Sequence, residues 1–177
     1  MAQIKNSIGL IACLFVFLSV SGQCDLRDSL QKQYRAQIGV VELTGNNDGE
    51  MVEEYLATTD LGDGYPWCAA FIYWNYVQFG HELIMKYPAY APSYFPDDNV
   101  IYTRGEGFKC PPQPGDVIGI YFSSKKRIAH VGFYDGETED YFITVEGNTN
   151  DAGSREGQGV YRKYRPKGTI YKISSFL

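Results

Sequence analysis

Histidine occurs only twice in these 177 residues and cysteine only four times, with no two cysteines close together. A zinc centre takes four such ligands at short, paired spacings, and nothing in the chain offers them. Basic residues are also in short supply: 16 Lys and Arg against 21 Asp and Glu give a formal net charge of -5. Nucleic-acid binding draws most of its affinity from neutralising phosphates, so an acidic chain is unsuited to it. The same balance disfavours electrostatic attachment to an anionic polymer and suits a small neutral or zwitterionic substrate better. Long apolar runs are missing as well. The stretch Ile8 to Val20 is short for a bilayer span, and no other run suggests one in the mature chain. Without repeats, low-complexity tracts or linkers, the expectation is one compact, monomeric domain.

What is present begins with a leader. Lys5 is the only charge before Asp25, and the apolar run after it closes on the small residues Ser21 and Gly22. This is the pattern of a secretory signal, giving a signal peptide over 1–23, a mature chain over 24–177 and a periplasmic or extracellular address. Cys24 raises lipoprotein anchoring, but Gln23 stands where such signals carry a small residue, which makes that reading the weaker one. Loss of Lys5 with the leader moves the charge from -5 to about -6. Cys13 leaves too, and Cys24, Cys68 and Cys110 remain. An odd number in an oxidising compartment leaves one thiol unpaired. A Cys24–Cys110 disulfide with a free Cys68 is the natural division.

The first half of the mature chain reads as helical. Asp25 is placed to cap a helix in which Leu26, Leu30, Tyr34 and Ile38 fall on one face. The turn-rich loop Thr44–Gly49 offers Asn and Asp caps for a second helix carrying Met51, Val52, Tyr55 and Leu56. That loop lacks the alternating acidic spacing of a calcium loop. Next comes Tyr65-Pro66-Trp67-Cys68-Ala69-Ala70-Phe71, an apolar helix with Pro66 in its first turn and Gly80 as its stop. A cysteine at a helix start lies at the positive end of the dipole, among unpaired N–H groups that favour a thiolate. Burial as a small apolar side chain is the plainer role for Cys68 until a base is found. Beyond Gly80, the dipeptides Tyr87-Pro88, Ala91-Pro92 and Phe95-Pro96 predict loop with at most one helical turn. Tyr90, Tyr94 and Trp67 are candidate groove walls, core packing being the alternative.

From Cys110 the pattern turns to strands: Val117–Phe122, Ile128–Tyr134, Tyr141–Glu146, Val160–Tyr164 and Thr169–Ile173, separated by Gly-, Asp- and Ser-containing turns. Helices first and an antiparallel sheet second make an α+β fold. Alternation puts Ala129, Val131 and Phe133 on one face and His130, Gly132 and Tyr134 on the other. If the odd-numbered faces of this strand and the next both cover the core, His130 and Glu146 emerge side by side. Asn148 continues in that direction as long as the strand stays extended. Gly132 beside His130 leaves room for a close neighbour. A thiol nucleophile needs a base and a group to orient that base. Cys68, His130 and either Glu146 or Asn148 fill those roles.

Pro66-Trp67-Cys68-Ala69-Ala70-Phe71, Pro114-Gly115-Asp116-Val117, Ala129-His130-Val131-Gly132 and Val145-Glu146-Gly147-Asn148-Thr149 occur in one order. In that order the chain resembles the CHAP domains, cysteine, histidine-dependent amidohydrolases/peptidases of papain-like fold that cut peptidoglycan. The resemblance implies Cys68 as nucleophile, His130 as base, Glu146 as orienting acid and Asn148 as its polar companion. It implies a peptidoglycan or muropeptide substrate and hydrolysis by an amidase or endopeptidase through a thioester. Asp60 and Asp63 do not reproduce the calcium-binding spacing of some CHAP domains, so no metal or other cofactor is expected. The alternatives are a peptidase or acyltransferase acting on another amide, and a peptidoglycan-binding module without catalysis.

Overall fold

Residues 68–76 are all buried, so the helix at the centre of the molecule has no polar face. Such a helix is stable only when enclosed on every side. The computed structural model, which describes residues 26–150 and 157–177, packs it against a neighbouring helix and a sheet. In chain order, α1 (26–35), α2 (Glu50–Ala57) and α3 (Cys68–Gln78) come first. A short 3-10 turn (Ala91–Tyr94) leads to β1 (Val100–Thr103), β2 (Gly107–Phe108), β3 (Val117–Phe122) and β4 (Arg127–Glu137). The chain then forms β5 (Tyr141–Thr149), β6 (Gly159–Pro166), a second 3-10 turn and β7 (Ile170–Ser174). All strand pairs are antiparallel, in the order β2-β1-β7-β3-β4-β5-β6. This is an α+β, papain-like arrangement, with the Cys68 helix packed on β4 and β5. No helix among the described residues is long and apolar enough to cross a membrane. The predicted signal peptide over 1–23, the Asp25 cap and Cys24 lie outside the described residues.

Helix α3 ends as its sequence requires. Gly80 takes φ +79, its N–H bonds the Val77 carbonyl and the His81 N–H bonds the Tyr76 carbonyl. These paired bonds close the last turn and need a residue at ease with positive φ. The start differs from expectation: Cys68 is the first helical residue and Trp67 the cap, so Pro66 stands just outside. Helix α2 also starts differently. Its cap is Gly49, with no side-chain capping bond, because Asp48 turns back to accept from the Thr44 N–H and hydroxyl. The Glu53 carboxylate accepts from the Gly49 N–H instead. In α1, Leu30 and Tyr34 are fully buried, whereas Leu26 and Ile38 at the ends of the stripe are exposed.

Phe133 ties the layers together. Tyr34 stacks on it at 4.4 Å, and Phe71 and Tyr76 meet it at 5.9 and 5.8 Å. Gly147 on β5 permits the close docking of α3, since a Cβ there would lie 2.7 Å from both Phe71 and Trp67. The opposite face of the sheet holds a smaller core of Ile101, Ile118, Tyr134, Phe142, Ile170 and Ile173. The stretch from 100 to 108, expected to be loop, forms the β1–β2 hairpin at the sheet edge. Its Val-Ile-Tyr-Thr run has strand propensity, and β7 supplies the partner that local reading did not see.

Candidate active site

Two irregularities in the sheet shape the site. Ile120 pairs with His130 but Tyr121 pairs with Ile128, so Ala129 is an extra residue on β4. A bulge of this kind twists the strand and re-aims the next side chain. Here it brings Ile128 rather than Ala129 into the main core, contrary to strict alternation. The second lies in β5, where pairing with β6 shifts between Glu146 and Thr149. Asn148 there takes φ +52, a left-handed conformation that asparagine tolerates better than most residues.

His130 sits between a sulfur and a carboxylate. Its Nε2 is 2.7 Å from Glu146 Oε2, which leaves Nδ1 for Cys68. The His130 ring and the backbone N–H groups of Val131 and Ala69 all act on the sulfur in the sense that favours its thiolate. All three side chains are buried, and Glu146 wholly so. Gly132 makes the approach of Glu146 possible: a Cβ at that position would lie 2.5 Å from Glu146 Cγ.

Glu146 is held from several directions. The Thr144 hydroxyl donates to Oε1 at 2.5 Å, and Arg165 donates from Nε to Oε1 at 2.8 Å and from Nη2 to Oε2. Burial raises a carboxyl pKa, yet the Arg165 and His130 contacts outweigh it and hold Glu146 well below the carboxylate range. For Cys68, burial again pushes upward, but the hydrogen bond and charge of His130, with the Val131 and Ala69 N–H groups, bring the thiol below its ordinary 9.0. Burial pulls His130 down, while contacts with Cys68 and Glu146 raise it well above 6.5. The two directions favour a thiolate beside an imidazolium, the form in which a cysteine attacks a carbonyl.

The remaining predicted residues stand outside the Cys68–His130–Glu146 row. Asn148 lines the cleft beside His130, but its bonds go elsewhere: at its left-handed turn the amide donates to Glu42 Oε1 at 3.2 Å and Asn47 Oδ1 at 2.9 Å. Trp67 and Tyr94 are not groove walls, because both are fully buried. Trp67 Nε1 donates to Glu42 Oε1 at 2.8 Å, and the Tyr94 hydroxyl lies 2.9 Å from both the Ala69 and Pro88 carbonyls. Tyr90 does stay exposed, with the Arg127 guanidinium 5.1 Å from its ring. Cys110 is an exposed free thiol.

Three residues that reading of the sequence missed complete the surroundings. Glu42 gathers Trp67, Asn148 and the Asn47 N–H, and so clamps the segment leading into α3. Thr144 follows from alternation, two residues before Glu146. Arg165 would have followed from extending the predicted strand Val160–Tyr164 by one residue, since Tyr161 pairs with Glu146 and Lys163 with Thr144 on one face. A cleft of about 490 Å³ opens beside these groups, with His130, Asn148, Thr149, Lys163 and Arg165 in its lining.

A family profile described as the CHAP domain matches residues 60–148, half of the chain. The chain belongs to the CHAP-domain family. CHAP domains are cysteine, histidine-dependent amidohydrolases/peptidases, and the matched span runs from the approach to Cys68 as far as Asn148. Among solved structures, a mutated form of the Resuscitation Promoting Factor interacting protein RipA is similar in fold. It has 15% identity and a TM-score of 0.50, with 86% of this chain and 62% of that one covered. This CHAP chain therefore spans less than two thirds of that structure, and at such identity the likeness concerns fold alone. No curated protein matches the chain.

Proposed function

We propose that this CHAP domain is an exported cysteine hydrolase that cleaves amide bonds in peptidoglycan or its fragments, acting as an amidase or an endopeptidase. The observation that carries the reading is the buried row of Cys68, His130 and Glu146, in which His130 Nε2 lies 2.7 Å from Glu146 Oε2 and the imidazole acts on the Cys68 thiol. Cys68 is the nucleophile, His130 the acid and base, and Glu146 the group that fixes the imidazole. Asn148, bonded to Glu42 and Asn47, belongs to the scaffold around them.

The thiolate attacks the amide carbonyl, and the oxyanion that forms is stabilised by backbone N–H groups at the start of α3. Imidazolium His130 gives its proton to the leaving amine as the C–N bond breaks, leaving a thioester on Cys68. Water then adds to the thioester carbonyl and gives a proton to His130. The carboxylic acid departs and the thiolate–imidazolium pair is restored. Glu146 keeps its charge throughout and steadies the imidazolium.

Cys68→Ala is expected to abolish amine release from purified peptidoglycan while the far-UV spectrum and melting temperature stay close to wild type. Undiminished release by this variant ends the cysteine-hydrolase reading. Mass spectrometry of the wild-type products distinguishes a cut between sugar and peptide from one between two amino acids.

A further inference from the structure

Arg165 is the one cation in contact with Glu146 from outside the Cys68–His130 pair among the described residues. Arg165 lines the same cleft as His130 and its side chain is 28% exposed, while the Glu146 side chain is fully buried. The fork touches both carboxylate oxygens, and Oε2 is shared between Arg165 and His130. Along this row the formal charges alternate: thiolate at Cys68, imidazolium at His130, carboxylate at Glu146, guanidinium at Arg165. They sum to zero. A buried group of charges is tolerated when it is paired and hydrogen-bonded, and an odd charge left inside is costly.

We propose that Arg165 is a positioning residue for the reacting pair: its charge balances buried Glu146 and so maintains the thiolate–imidazolium form of Cys68 and His130. Without the guanidinium, the row carries one uncompensated negative charge. Two rearrangements relieve it. The Cys68 sulfur takes a proton, or Glu146 does and thereby gives up its hold on the imidazolium. Both disfavour the thiolate.

The ionisable groups around the row are few. Cys68 comes from α3, His130 from β4, Glu146 from β5, and Arg165 with Lys163 from β6. The Tyr94 phenol on the 3-10 turn is buried and held well above its ordinary range by burial and by Cys68, so it stays neutral. Arg165 is therefore the group through which the row can be altered without touching a reacting atom.

The test rests on the reading of Cys68 and His130 as a reacting pair but requires no peptidoglycan. The rate of iodoacetamide alkylation of Cys68 is followed against pH in the mature chain, with Cys24→Ser and Cys110→Ser in every protein compared. Arg165→Gln is expected to move the thiolate midpoint upward by about one pH unit, a tenfold loss of alkylation rate below the wild-type midpoint. Arg165→Lys keeps the charge but loses the fork, and its midpoint is expected between those of wild type and Arg165→Gln. A role limited to packing predicts a lower melting temperature with an unmoved pH profile. An unshifted midpoint in either variant overturns the proposal, as does a lysine variant shifted as far as the glutamine one. If Arg165→Gln does not fold, the lysine variant decides alone, by a midpoint either raised or superimposed on wild type. Because alkylation reports the thiol itself, this outcome is separate from whether Cys68→Ala loses amine release.

Discussion

A cysteine surrounded by aromatic and aliphatic side chains ordinarily keeps its proton. At Cys68 the imidazole on one side and backbone N–H groups on the other reverse that preference. The sign follows directly. With the thiol lowered and His130 raised, the ion pair persists at pH values between the two and fails on either side. The rate kcat/KM is expected to rise as Cys68 ionises, at a pH below the ordinary thiol value of 9.0. It then stays level and falls as His130 loses its proton, above the ordinary histidine value of 6.5. In His130→Ala only the Val131 and Ala69 N–H groups remain to oppose burial of the thiol, so its alkylation midpoint should move upward; a midpoint that stays in place would remove His130 from the pairing. Part of this geometry was legible in the residues. Alternation alone put His130 and Glu146 on one face, and Gly132 announced a close neighbour that is Glu146 itself. Glu42 was not legible, because its partners lie 25 and 106 positions along the chain. Trp67 and Tyr94 misled because an aromatic ring in a loop reads the same whether it faces solvent or the interior.

At the scale of elements, the strands from Val117 onward and the Gly80 helix stop could be read locally, since period-2 alternation and a glycine after an apolar run are local signals. The β1–β2 hairpin could not, because β1 gains its partner from β7. The two bulges were equally invisible, for an extra residue in a strand leaves no mark on composition. One consequence concerns Gly147, where α3 and β5 come closest. Gly147→Ala is expected to cost about 1–3 kcal/mol through overpacking against Phe71 and Trp67. Urea denaturation measures it directly, and stability equal to wild type would mean that the helix can withdraw from the sheet without loss. Since Trp67 caps α3 immediately before Cys68, the same variant should also lower alkylation of the thiol.

Across the whole molecule, α1 is bound to the sheet through buried Asp135. Its carboxylate accepts from the Tyr34 hydroxyl, Arg35 and Gln31 on the helical side and from Arg162 on β6. Burial opposes the charge, but Arg35, Arg162 and Tyr34 hold the carboxyl below its ordinary 3.8. A depressed carboxylate stabilises the fold fully above its unfolded pKa and loses that contribution as pH falls through the folded one. Asp135→Asn is thus expected to lower stability near neutrality by about 2 kcal/mol, with the gap from wild type closing as pH drops below 3.8. Parallel denaturation curves at neutral and acid pH check this, and a gap independent of pH would deny the carboxylate its charge-based role. The order of the strands bears on when the molecule takes shape. β7 comes last in sequence yet lies third from the β2 edge, paired to β1 on one side and β3 on the other. Until Ile170–Ser174 emerges, the hairpin and the β3–β6 meander remain two fragments with bare neighbouring edges. The two halves of the sheet can therefore be stitched only after β7 has emerged, and a chain halted before it exposes sticky margins instead of a continuous sheet.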